Sequence, residues 1–487
     1  MHIANIKSFL FILNVIVIAS SCKVGDRYSQ PELRLPGSYR GEWLTDSSDT
    51  THVSQLSWRE FFNDSTLIAL IDSGLLHNYD MRTALKNIEI ASLNLRANKS
   101  EYLPRIDANI ATINQQFRSP DFYSSPSSKW YDQKGEEAPS YLFQYQSQYA
   151  SGIQFSWELD IWGRIAQQQD MLKAGWLNSL ENKTAIQTKL IADIASGYFN
   201  LLMLDAQIEV AKRNLRLNDS TLRIIKLQFD AGEITALALQ QTESQRLLAA
   251  SMIPGLEKEI AVQENSLRTL IGKMPDSIYR NRQLNDSLLS FNQMVSLGSP
   301  LDIIRYRPDI KQAELELITA NAAMNIRQIM RYPQLSLSGV FGVNAMLPQN
   351  WFNIPGALLG GAVGELTAPI FRNKRLKTQY EVARIDREKA ELALQERVME
   401  AVAEVSNILV TVEKQKEQLS LAHSRVANSE LAVKNASLLF KSGYATYLEV
   451  ITAQSNALRS ELDLVDIRQK QLNAYVALYR SLGGGWE

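Results

Sequence analysis

Histidines, cysteines and paired carboxylates are the side chains that most often do chemistry, and this 487-residue chain uses them sparingly. Its four histidines, His2, His52, His77 and His423, are too scattered for an HExxH metal spacing or a nucleophile triad. Glu158 and Asp160 have the types of a glycosidase acid pair. Both, however, occupy the polar positions of a strictly alternating stretch, which assigns them to the wet face of a strand. No GxGxxG or Walker phosphate loop is present. Lysines and arginines number 51 against 52 acids, a net charge of −1 that lacks the basic excess of a nucleic-acid binder. The expectation is no catalytic residue, no metal, no cofactor and no enzyme.

One residue does invite chemistry. Cys22 is the only cysteine, so no disulfide forms within the chain. It follows Lys7, an apolar run from Phe9 to Ile18, and the small residues Ala19, Ser20 and Ser21. That order is a secretory signal, too short to span a membrane as a mature helix. Cys22 stands where cleavage leaves it as the new N-terminus, which resembles a lipobox whose thiol is acylated. Ala19 replaces the commoner Leu three residues earlier, and a plain signal peptide with an incidental cysteine is the alternative. Lys23 rather than Asp follows the cysteine, which by that resemblance favours the outer membrane. Acyl chains would anchor the protein without an apolar helix.

The elements that position everything else come in two copies. Asp80 precedes Pro104 by the same 24 residues that separate Asp309 from Pro333. Arg164 stands 65 residues before Phe229, and Arg375 stands 65 before Phe440. The two blocks repeat at offsets of 229 and 211, so the first copy carries 18 extra residues between Pro104 and Arg164. The 65-residue blocks show a 4-3 apolar spacing: Leu394, Val398, Ala401, Val405, Ile408, Val412, Leu419, Ala422, Val426, Val433, Ala436 and Phe440 in one, with Gln415 and Ser429 in two polar slots, and Leu190, Ile194, Leu201, Leu204, Ile208, Ala211, Leu215, Leu222, Ile225 and Phe229 in the other. That spacing predicts coiled-coil rods of roughly 100 Å. Each rod meets a glycine-centred turn and then a return helix of about 37 residues. With the helix of about 23 residues before each proline, the chain offers four rod-length columns.

Between the helices lie strands. Residues 143–161 alternate strictly, with Phe143, Tyr145, Tyr149, Ile153, Phe155, Trp157, Leu159 and Ile161 on one parity. Nineteen residues exceed a typical soluble strand and fit a tilted strand that crosses a bilayer. Residues 104–116 and 333–344 alternate less cleanly, 356–371 is glycine-rich, and 121–140 and 345–355 suit extracellular loops. Four strands cannot close a barrel, and lipid tolerates no open edge, so the chain is expected to oligomerise. A soluble β-sandwich edge is the competing reading of the alternation.

Cys22 with Gly25 to Pro31, the run Trp157-Glu158-Leu159-Asp160-Ile161-Trp162-Gly163-Arg164, Arg307-Pro308-Asp309-Ile310, Pro369-Ile370-Phe371 and the stretch from Gly443 to Gln454 together resemble the TolC-like outer-membrane factor family, in its lipoprotein branch that serves multidrug efflux pumps. The resemblance implies a mainly α chain with membrane β: tandem half-units forming a long periplasmic α-helical barrel, with four strands per chain of a trimeric twelve-stranded barrel. It implies a homotrimer that docks a periplasmic adaptor and an inner-membrane pump of the resistance-nodulation-division type. The expected organisation is a signal peptide over 1–21 and a lipidated segment with part of an equatorial layer over 22–75. A helix over 76–103, a strand pair over 104–161 and long helices over 162–275 make the first repeat. After a connector over 276–306, a helix over 307–332, strands over 333–371 and long helices over 372–482 make the second, before a tail over 483–487.

By the same resemblance Phe229, Gly232, Phe440 and Gly443 form the adaptor-docking tip, while Leu448, Glu449 and Thr452 form the pore gate. Glu158 and Asp160, on the polar parity, face the lumen. The family commonly has Asp at the position of Thr452, and Ala445, Leu237 and Ala238 stand where one branch places an Arg-centred latch. Leu448 as a seam residue and Glu449 as a solvated charge are the plainer alternatives. The implied function is a passive efflux exit duct. A type I protein-secretion duct and a non-pore periplasmic scaffold are the alternatives. One expectation needs no structure: Cys22→Ser abolishes incorporation of labelled palmitate, and equal labelling of both proteins would remove the anchor.

Overall fold

A computed structural model of the chain describes residues 24–33, 36–37, 39–40, 57–118, 144–281 and 304–484. Cys22, residues 119–143 and most of the expected connector over 276–306 therefore lie outside the described residues. In chain order the elements are α1 (Trp58–Phe61), α2 (Ser65–His77), α3 (Tyr79–Lys99), β1 (Arg105–Arg118), β2 (Gln144–Leu159), α4 (Arg164–Asp230), α5 (Ala236–Leu270), α6 (Pro308–Ile329), β3 (Gln334–Ala345), β4 (Leu358–Thr367), α7 (Arg375–Lys441) and α8 (Tyr447–Ser481). The duplication is plain, since α4 and α7 are both 67 residues and α5 and α8 both 35. Among the described residues no helix is long and apolar enough to cross a membrane. The chain divides into two compact units.

One unit, comprising Met1–Ser29, Ser92–Ala174 and Ile318–Glu388, carries the sheet. Its four strands are antiparallel in the order β1-β2-β3-β4, and β1 and β4 are edges among the described residues. Register joins like to like. Ile106 faces Phe155 and Ala108 faces Ile153, while Trp157 faces Leu337 and Leu335 faces Leu366. On the opposite face Asp107 meets Gln154, and Glu158 meets Ser336. The register of β1 shifts between Asn109 and Thr112, which moves its apolar residues from the parity of Ile106 to that of Ile113. A bulge, not weak patterning, made this strand look irregular. Strand β2 ends at Leu159 rather than at 161. The 18 extra residues of the first copy are spread over longer strands and the longer connection.

In the same unit the N-terminal segment is clasped through its backbone. The Asp26 N–H donates to Asn325 Oδ1 at 3.2 Å, and Asn325 Nδ2 donates back to the Asp26 carbonyl at 3.0 Å. Gly25 adopts φ +114, and a Cβ there would stand 2.7 Å from Asn325 Cγ. Both facts make glycine the residue that fits.

The other unit, comprising Gln30–Ala91, Gly175–Leu317 and Lys389–Glu487, is helical. In α7 the buried positions are Leu394, Val398, Ala401, Val405, Leu409, Val412 and Ala422, so Leu409 takes the slot expected for Ile408. In α4 the stretch from Leu190 to Ala211 is buried on several faces. Gly74 of α2 and Phe62 approach Leu190, Ile194 and Phe199. Leu267 and Gln263 of α5 meet Gly197, and Gln469 and Asn473 of α8 meet Asn200. Tyr198 donates to Asp64 Oδ2 at 3.0 Å, and the same carboxylate caps α2 by accepting from the Thr66 and Leu67 N–H groups. Burial and the Asp64 charge push the Tyr198 phenol well above its usual range.

Two buried arginines tie the helices together. Arg307 meets Asp309 through Nε at 3.0 Å and Nη2 at 2.7 Å, Glu404 at 2.7 Å and the Ser481 carbonyl at 3.0 Å. That network joins the start of α6 to α7 and to the end of α8. Arg280 reaches Asp205 through Nε at 2.5 Å and Nη2 at 2.9 Å, and Glu264 at 2.5 Å. The Arg280 and Asp205 side chains are only 2% and 1% exposed. Removing one partner of such a pair leaves an uncompensated buried charge, at a cost of about 3–5 kcal/mol. Asp205→Ala is therefore expected to lower the denaturation midpoint of the helical signal sharply. An unchanged midpoint would show that the pair contributes nothing.

Candidate functional site

The two turns that end the long helices are built identically, and both lie in the helical unit. In the first, the Gly232 N–H donates to the Phe229 carbonyl at 2.9 Å and the Glu233 N–H to the Gln228 carbonyl at 2.9 Å. In the second, the Gly443 N–H donates to Phe440 at 3.1 Å and the Tyr444 N–H to Leu439 at 2.9 Å. This is the Schellman helix ending, whose pivot must be left-handed. Gly232 has φ +75 and Gly443 φ +74, the conformation that glycine adopts without strain. Around these pivots Phe229, Leu227, Leu438, Leu439 and Tyr444 are exposed. The four expected tip residues thus take equivalent places on two matching turns, with Phe229 exposed and Phe440 half-buried.

Beyond each turn a threonine, Thr235 or Thr446, opens the return helix. Leu448, Glu449 and Thr452 are all exposed, and their i, i+1, i+4 spacing puts them on one face of α8. Val450 and Gln454 on the other side are buried. Leu448 is 57% exposed within the chain. Its repeat-mate 211 residues earlier, Leu237, is 58% exposed. The constant 211-residue offset pairs the two positions. Glu449 is more than a solvated charge, because its carboxylate accepts from the Thr446 hydroxyl at 2.6 Å and from the Thr446 N–H. A second feature had no sequence signal: the Tyr447 hydroxyl donates to Gln241 Oε1 at 2.6 Å, linking the starts of α8 and α5.

The acid pair of the sheet divides its labour. Glu158 lies on β2 and meets Arg164 through two bonds of 2.8 and 2.9 Å. Asp160 lies one residue past the strand, which corrects its expected place on a lumen-facing strand. Its carboxylate accepts from the Ile165 and Ala166 N–H groups at 3.0 and 3.1 Å. It satisfies two of the free donors that every helix start leaves. Trp162 turns the chain between them, donating to the Pro333 carbonyl at 2.6 Å. Among the described residues no cluster of His, Cys, Asp and Glu could hold a metal ion.

A unit repeated twice, each copy giving two strands to an open-edged sheet and two very long helices joined by a tight turn, is the construction of an outer-membrane channel subunit. Residues 70–273 and 302–484 match the family described as "Outer membrane efflux protein", and the chain belongs to that family. It is 24% identical over 477 residues to the cation efflux system protein CusC of Escherichia coli K12, covering 97% of this chain and 98% of the relative. It is 26% identical over 475 residues to the solvent efflux pump outer membrane protein SrpC of Pseudomonas putida, covering 97% of each. Among solved structures, the outer-membrane channel OprN superposes with a TM-score of 0.83 at 22% identity, over 96% of this chain and all of that one. The open state of the Neisseria gonorrhoeae MtrE channel gives 0.81 at 23% identity, over 96% and 99%. The fold is therefore that of the efflux channels, mostly helical with four antiparallel strands per chain, and the protein is an outer-membrane efflux component.

The bonds from the Thr446 hydroxyl and N–H hold the Glu449 carboxyl below its usual range. A depressed folded value means that its support of the helix start is present above the unfolded value of about 4.3 and is lost as pH falls through the folded one. Amide protection of residues 447–449 should accordingly be lower at about pH 3 than at about pH 6. Glu449→Gln should remove that difference. Equal protection factors at both pH values in the unaltered protein would contradict the assignment.

Proposed function

We propose that the protein is the exit duct of a tripartite efflux system, a homotrimer that passively passes small molecules from an inner-membrane pump of the resistance-nodulation-division type to the exterior. In this reading three four-stranded sheets close one twelve-stranded barrel, and the long helices form a periplasmic tube. The acyl group on Cys22 holds the N-terminal segment at the outer membrane. The two matched turns, with Phe229, Gly232, Phe440 and Gly443, receive the hairpins of a periplasmic adaptor.

The observation that carries the reading is the pair of tips: one turn geometry made twice, flanked by outward apolar residues and followed in each copy by an exposed leucine. A scaffold that never opened a pore would have no use for Leu448, Glu449 and Thr452 along a single exposed stripe, or for a sheet whose β1 and β4 pair on one side only among the described residues. Rings of apolar and acidic residues gate pores by dewetting and by binding cations. Leu448, joined by Leu237, supplies the apolar ring, and Glu449 supplies the acidic one. The Tyr447–Gln241 bond braces the two return helices where a polar latch is lacking. The names of the relatives, cation and solvent efflux proteins, favour efflux over protein secretion. They leave the cargo of this chain open to experiment.

The test is single-channel recording in planar bilayers. The purified protein should conduct weakly, and Leu448→Ala with Glu449→Ala should raise its conductance several-fold. Glu449→Gln alone should reduce the preference for cations. Unchanged conductance in the double variant removes the gate, and silence in every variant removes the duct.

A further inference from the structure

The duplication allows one junction to be compared with itself. Where β2 passes into α4, the stretch 158–166 contains Glu158, Asp160 and Arg164, a net charge of −1. Both acids are engaged, one with Arg164 and one with the helix start. The corresponding stretch 369–377, where β4 passes into α7, contains Arg372, Lys374, Arg375 and Lys377 and no acid, a net charge of +4. At the 211-residue offset Pro369 replaces Glu158, Phe371 replaces Asp160, and Lys374 replaces Gly163. Arg375, the counterpart of Arg164, has therefore lost both carboxylates of the first copy.

The four cations are exposed, and none has an ion pair among the described residues. No acid occurs anywhere from Ala368 to Tyr380. Arg331, in the turn between α6 and β3, adds a fifth cation, stacked 5.2 Å over the Tyr380 ring. Just ahead of the cations, Ile370 is 96% exposed and Phe371 80% exposed. They follow the last residue of β4, Thr367, by three and four positions, within about 13 Å along the chain. The backbone is bent to present this group. Asn373 and Lys374 have φ +49 and +61, and the Arg375 N–H closes on the Arg372 carbonyl at 2.8 Å. In the first copy glycine takes the left-handed position, Gly163 at φ +82. Here a lysine adopts that unfavourable conformation, so its charge is kept where a glycine would fit more easily.

Two apolar side chains at the end of a membrane strand, followed at once by four unpaired cations, match the chemistry of a lipid surface: acyl chains first, then phosphates. We propose that the β4–α7 junction binds the headgroups of anionic phospholipids in the leaflet next to the helix-bearing end of the sheet. Ile370 and Phe371 enter the acyl boundary, and Arg372, Lys374, Arg375 and Lys377 hold lipid phosphate. The first-copy junction, closed by its own carboxylates, does not. This assignment rests on the sheet spanning the outer membrane.

The test uses the full-length protein in a neutral detergent, with native mass spectrometry counting adducts during titration with phosphatidylglycerol, phosphatidylcholine or inorganic phosphate. Phosphatidylglycerol should be retained in preference to phosphatidylcholine. The variant Arg372→Gln, Lys374→Gly, Arg375→Gln, Lys377→Gln should bind it at least about tenfold more weakly. Phe371→Asp alone, which restores the first-copy acid beside Arg375, should weaken it in the same direction and serves if the fourfold variant fails to fold. Equal affinity in these variants, equal binding of phosphatidylcholine, or displacement of the lipid by an equal concentration of inorganic phosphate would overturn the proposal. If the unaltered protein conducts in bilayers but shows no lipid preference, this site alone is wrong. Absence of conductance counts instead against the duct.

Discussion

Hydrocarbon offers a strand edge no water. Each unpaired N–H or C=O in lipid costs several kcal/mol, so a membrane sheet must have no end. Strands β1 and β4 each pair on one side only among the described residues. Much of the proposed assembly follows from that single deficit. Two hairpins from a duplicated unit cannot close a ring, whereas twelve strands can. Once copies are joined edge to edge, the helices attached to one end of every sheet are brought together as well.

Long helices bring a different difficulty, because a repeating apolar seam does not say which turn should face which. Polar layers within the helical unit answer it. Gln454 donates to Thr221 at 2.9 Å in a buried layer, while Gln469 and Asn473 both donate to Asn200 at 2.8 and 3.1 Å. A helix sliding by one turn would strand each of these groups without a partner, and that penalty is larger than the small net gain of the bond itself. Arg280 and Arg307 do the same at the ends of α5 and α8, where several elements meet. Exposed pairs such as Arg425 with Asp463 at 2.6 Å contribute far less to this choice.

Much of the architecture was legible in the residues because it depends on period. Alternation over β2, the 4-3 spacing in α7 and the constant offsets placed the strands and both 67-residue helices to within a few positions. What escaped depends on pairing across distance. The bulge in β1 hid its parity, and Asp160 belongs to the helix start rather than to the strand. The all-round burial of α4 from Leu190 to Ala211 comes from several elements at once, α2, α5 and α8 among them, and the sequence of none of them names its target. Tyr447 and Gln241 are 206 residues apart, and no pattern in either helix predicts their bond. Glu449 stands out only through the family resemblance, while its anchoring to Thr446 follows from the spacing of a capping box.

Duplication gives a way to separate scaffold from function inside one chain. Where both copies keep the same residue, the fold explains it: Gly232 and Gly443 are left-handed pivots, and Arg164 and Arg375 open equivalent helices. Where the copies part, geometry is held while chemistry changes. Ala238 is buried where Glu449 is exposed, and Gly163 turns where Lys374 turns at the expense of a strained backbone. Divergence at a fixed geometry is not needed for packing, since the other copy packs without it. The residues that break the internal symmetry, at the helix-ending turns and at the β4–α7 junction, are therefore the ones that packing alone does not account for.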